Sequence, residues 1–148
     1  MQPLQFPSYN FRLKNRQNKP FIFDLVRKKF VSLTPEEWVR QHVLNYLVHD
    51  KKYPLSHINI EKQIVMNGLK KRYDIVIFNT DGSIHLLVEC KAPEVKITQN
   101  TFDQIASYNF KLDATFLMVT NGLRHFYCQM LKKEEKYDFL REIPEFSR

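Results

Sequence analysis

Two turn dipeptides in the middle of the chain, Asn67-Gly68 and Asp81-Gly82, constrain the fold more than any other feature of the sequence. Asn-Gly and Asp-Gly favour tight β-hairpin turns, because both central positions of such a turn require a positive φ. Both dipeptides are flanked by strand-forming residues. This part of the chain is therefore predicted to form a three-stranded antiparallel meander.

The turns also predict which residues face each other across the meander. A turn centred on Asp81 and Gly82 places Asp74 opposite Glu89, and the first turn places Glu61 opposite Asp74. Alternation then assigns one face to the core. The core face is expected to carry Ile60, Ile64, Tyr73, Ile75, Ile77, Ile84, Leu86 and Val88. The other face is expected to be apolar at Val65, Val76, Phe78 and Leu87, and charged at Glu61, Arg72, Asp74, Glu89 and Lys91.

Helical signals precede and follow the meander. The stretch TPEEWVRQHVLNYLVHD predicts a helix, because Thr34 suits the N-cap and Pro35 suits the first helical position. Its buried face is expected to comprise Trp38, His42, Val43, Tyr46 and Leu47. A second helix is predicted from Thr101 to about Leu112.

Strands complete the expected architecture. FIFDLVRKKFV is predicted to be one strand after an irregular start, and ATFLMVT and RHFYCQM a strand pair joined at Asn121-Gly122. Alternating charges after Lys132 favour a short surface helix that ends before Pro144. We expect one domain over residues 1–148, with a core over about 20–130, an N-terminal arm at 1–19 and a C-terminal tail at 131–148.

Composition, charge and the absence of certain motifs exclude several classes of protein. The 23 Lys and Arg residues outnumber the 16 Asp and Glu residues, and the formal charge of +7 favours a polyanionic partner. Cys90 and Cys128 are too few for a disulfide framework or a Cys-rich zinc site. The absence of a signal-peptide pattern and of long apolar runs predicts a cytoplasmic protein with no membrane partner. No G-x-x-x-x-G-K-[ST] sequence is present, so any nucleotide-driven motor is expected on another chain.

The predicted pairing of Asp74 with Glu89 requires a physical explanation, because like charges on facing residues destabilise a sheet. A Mg²⁺ ion would provide one, since it prefers oxygen ligands and binds one or two carboxylates plus water. Lys91 lies two residues beyond Glu89, on the same predicted face. The alternative is that these side chains form an ordinary solvated strand face.

Asp74, followed after fourteen residues by Glu89-Cys90-Lys91, resembles the D-x(n)-E-x-K motif of the PD-(D/E)XK nuclease superfamily. More narrowly, the blocks LTPEEWVRQHVLNYL, KRYDIVIFNTDGSIHLLVECKAP and DQIASYNFKLDATFLMVTNG resemble the N-terminal nuclease domain of type I restriction enzyme R (motor) subunits. The resemblance covers about residues 20 to 130.

The resemblance implies an α/β (α+β) fold of the restriction-endonuclease type, with a central mixed sheet, an αβββαβ core and flanking helices. It also implies Mg²⁺-dependent hydrolysis of DNA phosphodiester bonds, with Mn²⁺ as an alternative ion. By position, Asp74 and Glu89 would hold the metal, the backbone carbonyl of Cys90 would add a ligand, and Lys91 would orient water or stabilise the transition state.

Three further residues match the family by position. Glu37 matches an acidic residue on the first helix that reaches the metal, although it could equally complete the helix cap with Thr34. Gln104 and Tyr108 match a Q-x-x-x-Y element that supports the active site, although an ordinary surface and core-edge role is the alternative. Glu61 could join the carboxylates or pair diagonally with Arg72.

Basic residues lie near the first strand and beside the acidic row. They are Lys14, Arg16, Lys19, Arg27, Lys28 and Lys29, and then Lys70, Lys71 and Arg72, of which the last three are candidates for DNA binding. The expected partners are DNA, separate motor or recognition subunits, and a second copy in a homodimer. The alternatives are a non-catalytic nucleic-acid-binding module that retains the nuclease fold and a regulatory subunit that binds a protein.

Overall fold

The computed structural model describes residues 1–66 and 68–147, with the side chain of Leu69 left out. Its strands are β1 (Leu13–Arg16), β2 (Lys19–Asp24), β3 (Lys29–Ser32), β4 (Ile58–Met66), β5 (Leu69–Phe78), β6 (Ile84–Cys90), β7 (Phe116–Thr120), β8 (His125–Leu131) and β9 (Lys136–Leu140). The α-helices are α1 (Pro35–Asn45), which continues into a π-helical turn (Tyr46–Asp50), and α2 (Gln99–Asn109). Short 3-10 helices cover Leu55–His57, Phe110–Leu112 and Lys132–Glu134.

The strands form two sheets. A small antiparallel sheet has the order β1-β2-β3, and a six-stranded mixed sheet has the order β4-β5-β6-β7-β8-β9. Within the large sheet, β6 and β7 are parallel and the other neighbours are antiparallel. The parallel pair needs a crossover connection, which α2 provides. The order α1, β4, β5, β6, α2, β7 confirms the predicted αβββαβ core.

The predicted register of the meander is confirmed along most of its length. Ile60 pairs with Ile75 on β5, and Val76 pairs with Leu87 on β6. Gly68 and Gly82 both have a positive φ, at 78° and 89°. Asp81 does not, so the second turn is not the predicted two-residue type: Asn79 N donates to Ser83 O at 2.8 Å and Gly82 N donates to Asn79 O at 3.0 Å, which makes a longer loop. The prediction for Asn67 lies outside the described residues.

Irregularities in the ladders correct part of the predicted face assignment. A register shift between Ile77 and Phe78 pairs Phe78 with Ile84, which turns Ile84 away from Leu86. Glu61 has a left-handed φ of 52°, and the ladder skips it. Because such an irregularity sends later side chains to the other face, Ile64, Tyr73 and Ile84 pack on the side of the sheet opposite Ile75, Ile77 and Val88.

Helices cover the central part of both faces of the six-stranded sheet, while parts of the edge strands β4 and β9 are exposed. On one side the sheet packs against Val43 and Leu47 of α1 and its continuation, and on the other side against Phe102 and Ala106 of α2. This two-sided burial explains why the central strands are almost continuously apolar. No helix among the described residues is long and apolar enough to cross a membrane.

Three predictions for the ends of the chain are wrong. FIFDLVRKKFV contributes to two strands, β2 and β3, because Asp24 accepts hydrogen bonds from Val26 N and Arg27 N and so closes a turn. The tail forms the strand β9, and its alternating charges are those of an exposed edge strand rather than a surface helix. β1 also lies within the start of the chain that was predicted to be irregular.

Candidate active site

Glu37 lies in the first turn of α1, where it was predicted to complete a cap or reach the site. Glu37 N donates to Thr34 Oγ1 at 3.1 Å, as in a capping box, but the reciprocal bond from Thr34 N to the Glu37 carboxylate is absent among the described residues. The Glu37 carboxylate accepts hydrogen bonds from Arg27, Arg40 and Gln41 instead. Glu37 is therefore an internal member of a buried charge network.

Arg40 is the centre of that network. Its guanidinium donates to both Glu37 oxygens at 2.7 and 2.9 Å, and it contacts Asp74 Oδ1 and Glu61 Oε1 at 3.4 Å each. Burial alone raises the pKa of Glu37, but the hydrogen bonds and charge of Arg40 outweigh it and the pKa lies below its ordinary value. Burial alone lowers the pKa of Arg40, and Glu37 reverses this shift to a net rise.

Asp24 joins the small sheet to α1. Its side chain is fully buried, and its Oδ2 accepts from Arg27 Nε at 2.9 Å and from Gln41 Nε2 at 2.8 Å. Arg27 in turn contacts Glu37 at 3.0 Å. Gln41 Oε1 is the single buried side-chain polar atom without a hydrogen-bond partner among the described residues. These bonds hold the turn between β2 and β3 against the helix that carries Arg40.

Asp74 lies on β5 at the point where the paired ladder with β6 begins at Ile75. Its Oδ2 accepts from Cys90 N at 2.7 Å, and among the described residues its Oδ1 has only the long contact with Arg40 at 3.4 Å. Burial is the main cause that raises the pKa of Asp74 to about 6, and the charges of Glu36 and Glu89 add to the rise. The described residues therefore compensate the negative charge of Asp74 only through a long contact and one backbone hydrogen bond.

Glu89 is buried at the end of β6 and forms an ion pair with Lys71 of β5 through Oε1. The Lys71 ammonium also lies 4.9 Å from the ring centres of both Tyr73 and Tyr108. A shallow surface groove beside it is lined by Lys71, Gln104, Ile105 and Tyr108. The structure thus brings three of the predicted site residues, Glu89, Gln104 and Tyr108, to one place around Lys71.

The predicted residues divide into two groups with different partners. Glu37 and Asp74 meet at Arg40, while Glu89, Gln104 and Tyr108 lie around Lys71. The two groups adjoin along β5 and β6. Lys91 follows β6 directly, and its backbone N donates to Thr120 O at 2.8 Å. Its ammonium forms no salt bridge with any described residue.

The donor set is compatible with a hard divalent ion that keeps several waters. Within the described residues, no three His, Cys, Asp or Glu side chains are close enough together to hold a metal by themselves. Mg²⁺ commonly uses only one or two protein carboxylates. Asp74 Oδ1 and Glu89 Oε2 receive no short hydrogen bond from the described residues. Burial raises the pKa of the Cys90 thiol well above its ordinary value. Because a hard ion prefers oxygen ligands, the backbone carbonyl is the atom of Cys90 that suits Mg²⁺.

The three candidate DNA-binding residues lie in different environments. Lys70 and Arg72 are exposed on β5, whereas Lys71 is held by Glu89 and two aromatic rings. Glu61 contacts Arg40 rather than Arg72.

Sequence reasoning missed Asp24 and Arg40. Asp24 could have been found by the argument applied to Asp74, since it is a lone carboxylate in an apolar run. Arg40 follows Glu37 by three residues, the spacing of side chains that meet on a helix face.

Comparison with known proteins places the chain in a family. Residues 35–144 match the family described as type I restriction enzyme R protein N terminus (HSDR_N). No curated protein matches the sequence. A solved structure described as a fragment of an HsdR subunit of a type I restriction enzyme from Vibrio vulnificus YJ016 matches with a TM-score of 0.52 and 20% identity. The match covers 76% of this chain and 24% of that chain, so the likeness concerns the fold and spans about a quarter of the other protein. Because the family match extends over most of its length, this chain belongs to the family of type I restriction enzyme R protein N-terminal domains.

Proposed function

We propose that this chain is a Mg²⁺-dependent endonuclease domain that hydrolyses DNA phosphodiester bonds. The observation that carries the proposal is the position of Asp74 and Glu89 on the neighbouring strands β5 and β6, with Lys91 directly after β6. The pKa of Asp74, which burial raises to about 6, supports a role for a cation that compensates its charge.

Asp74 and Glu89 would hold the ion together with the carbonyl oxygen of Cys90. When bound, Mg²⁺ or Mn²⁺ would supply positive charge to the phosphate and lower the pKa of water. Lys91 would orient the attacking water and offset negative charge on the phosphate oxygens. In hydrolysis, the water oxygen forms a bond to phosphorus, the ester P–O bond breaks, and the proton lost by water is balanced by a proton that the leaving oxygen gains.

The remaining predicted site residues would act as positioning residues. Glu37 uses both carboxylate oxygens in bonds to Arg27 and Arg40, so we infer that it fixes Arg40 beside Asp74 instead of binding metal directly. Gln104 and Tyr108 line the groove next to Lys71 and so would shape the approach to Glu89. Lys70 and Arg72 are exposed and available for phosphate contacts.

DNA and separate motor or recognition subunits are the partners that we propose for this domain. The family name assigns the domain to the R protein of a type I restriction enzyme, and the match to the Vibrio vulnificus structure spans only part of that protein. The comparisons give no support to the homodimer predicted from the sequence.

A plasmid-nicking assay tests the catalytic proposal. The wild type, Lys91→Ala and Lys96→Ala would be incubated with supercoiled DNA in Mg²⁺, in Mn²⁺ and in EDTA. Lys96 is an exposed lysine outside the site, so Lys96→Ala controls for loss of one positive charge. We expect metal-dependent nicking by the wild type and Lys96→Ala, and loss of nicking in Lys91→Ala. Equal nicking by all three proteins would refute the assignment of Lys91.

A non-catalytic DNA-binding module is the second candidate function. The observation in its favour is that Arg40 and Lys71 already contact the two carboxylates that the nuclease proposal assigns to metal. This candidate predicts DNA binding without nicking in either metal, and no change of melting temperature when Mg²⁺ is added.

A further inference from the structure

The small sheet has one outward face that carries most of its positive charge. Arg16 pairs with Lys19, and Lys14 pairs with Phe21, so these residues share a face with their neighbours at alternate positions. Arg12 continues the pattern, because Phe23 N donates to Arg12 O at 2.9 Å. The face, which we call the basic face, comprises Arg12, Lys14, Arg16, Lys19, Phe21, Phe23 and Phe30. The opposite face carries Ile22 and Asp24, both fully buried.

Among the residues that the structure describes, no carboxylate forms a salt bridge with any of the four cations of the basic face. Arg16 and Lys19 lie directly opposite each other, an arrangement that destabilises a strand pair. The single acidic residue between Arg12 and Ser32 is Asp24, which is buried and bonded to Arg27 and Gln41. The basic face is therefore electrostatically complementary to an external polyanion.

Two aromatic rings of the basic face, those of Phe23 and Phe30, are covered by cations. The Arg12 guanidinium lies 4.4 Å from the centre of the Phe23 ring, and the Lys14 ammonium lies 4.1 Å from the centre of the Phe30 ring. Phe23 and Phe30 are only partly exposed and contact each other at 5.3 Å between ring centres. Rings covered in this way are poorly placed to stack with unpaired bases or to insert into lipid. Contact with the phosphates of a base-paired duplex remains favourable.

The basic face is fixed to the rest of the domain through the candidate active site. The turn that follows β2 holds Arg27, which contacts Asp24 at 2.9 Å and Glu37 at 3.0 Å. Glu37 in turn holds Arg40 beside Asp74. A phosphate backbone bound to the small sheet would therefore be held by the same rigid unit as the proposed catalytic carboxylates.

We propose that the basic face, through Arg12, Lys14, Arg16 and Lys19, binds the phosphate backbone of duplex DNA without reading its sequence. The identity of the partner rests on the proposed function, but the contact itself does not require cleavage. Every phosphate contact on B-DNA adds about 0.9 to the slope of log K against log salt concentration, so the number of contacts is measurable.

The test compares two variants that lose the same charge. Lys14→Gln/Arg16→Gln/Lys19→Gln removes three cations of the basic face, and Lys96→Gln/Lys111→Gln/Lys133→Gln removes three exposed cations elsewhere. Arg12 is retained because its guanidinium packs on two rings, those of Phe23 and Phe30. Binding to a fluorescent duplex would be measured by anisotropy in EDTA over a series of salt concentrations. We expect the slope for the basic-face variant to fall by about 2.7 in magnitude, and the slope for the control to stay at the wild-type value.

Several outcomes would overturn the proposal. Equal slopes for the two variants would mean that net charge alone matters. Tighter binding of the wild type to a single strand than to a duplex of the same length would reject the duplex, and a variant effect confined to anionic vesicles would reject DNA. Circular dichroism would verify that each variant is folded. Lys14→Arg/Lys19→Arg keeps both charges and should therefore bind the duplex with the wild-type slope. Absence of nicking with a reduced slope would refute the nuclease proposal alone, while nicking with an unchanged slope would refute this contact alone.

Discussion

At the scale of single residues, each carboxylate proposed to bind metal already has a cationic neighbour. Glu89 is 6% exposed and pairs with Lys71, and Asp74 has a long contact with Arg40. Removing one partner of a buried pair leaves an uncompensated charge in a poorly solvated place, which costs more than the loss of an exposed pair. A divalent ion bound by Asp74 and Glu89 would supply the positive charge that Arg40 and Lys71 supply in its absence.

Lys71→Met should destabilise the metal-free protein by roughly 1–3 kcal/mol, because Glu89 loses its partner. Addition of Mg²⁺ or Mn²⁺ should then raise the melting temperature of Lys71→Met more than that of the wild type, since the ion binds the released carboxylate. Thermal unfolding in EDTA and in each metal measures both effects. Lys70→Met is the matched control, because Lys70 is exposed and adjacent. Equal metal responses in both variants would contradict the site.

Glu37 and Arg40 should behave as one coupled unit. Arg40→Met removes two of the hydrogen bonds to buried Glu37 and the cationic neighbour of Asp74, and we expect a loss of about 3 kcal/mol in the free energy of unfolding. Glu37→Gln should cost less, because an amide can still accept a hydrogen bond. Urea unfolding of both single variants and the double variant gives the coupling free energy, which we expect to be about 1–3 kcal/mol. Additive effects would show that the two residues act independently.

At the scale of elements, the hairpin turns define the strand pairs but are not equally embedded. Gly82 and Gly122 both have positive φ, at 89° and 86°. A Cβ at Gly82 would meet nothing within 4 Å, whereas one at Gly122 would lie 2.9 Å from Leu4 Cδ2 and 3.1 Å from Val39 Cγ2. The turn between β7 and β8 is therefore also a packing point for the N-terminal segment and α1.

Gly122→Ala should consequently destabilise the protein more than Gly82→Ala. For Gly82→Ala we expect about 1 kcal/mol from the backbone conformation alone. For Gly122→Ala the same strain applies, and displacement of the neighbouring side chains should add roughly 1–3 kcal/mol. Denaturant unfolding of the two variants gives the comparison. A smaller effect at Gly122 would mean that Leu4 and Val39 move without cost.

At the scale of the whole molecule, the N-terminal segment is attached through a buried histidine, His42, and a half-buried one, His125. The His42 ring packs against Phe11 and Trp38 at 4.7 and 4.4 Å between ring centres, and His125 Nε2 makes a hydrogen bond to Gln5 O at 2.6 Å. Burial lowers the pKa of both His42 and His125, against the smaller opposing effect of their backbone hydrogen bonds. Burial also lowers the pKa of His85.

The protein should therefore lose part of its stability as the pH falls below about 6.5. In that range an unfolded histidine binds a proton that the buried one does not, so the unfolded state is favoured as pH falls. Protonation of Asp74 acts in the opposite direction, because burial raises the pKa of Asp74 to about 6. The comparison of the wild type with a histidine variant removes the contribution of Asp74, because both proteins contain Asp74. Between pH 7.5 and about pH 5.5, the wild type should lose more free energy of unfolding than His42→Phe. Urea unfolding at each pH measures the loss. His49→Gln is the control, because His49 is exposed. Identical losses in wild type and His42→Phe would exclude His42 as a contributor.

The local sequence by itself determined the register of the meander and the start of the first helix. Asp81-Gly82 places Val76 opposite Leu87, and Thr34 caps α1, because turn and cap chemistry act between residues a few positions apart. The order αβββαβ followed from the same local patterns together with the family resemblance.

Only the tertiary structure decided which charges meet. Glu37 binds Arg40 and Arg27 rather than completing its cap, and Lys71 binds Glu89 rather than facing solvent. The tail forms the strand β9 because its backbone pairs with the edge of β8. These outcomes depend on the docking of elements that are distant in the chain, where burial removes water as the competing partner and makes the nearest opposite charge or open strand edge decisive.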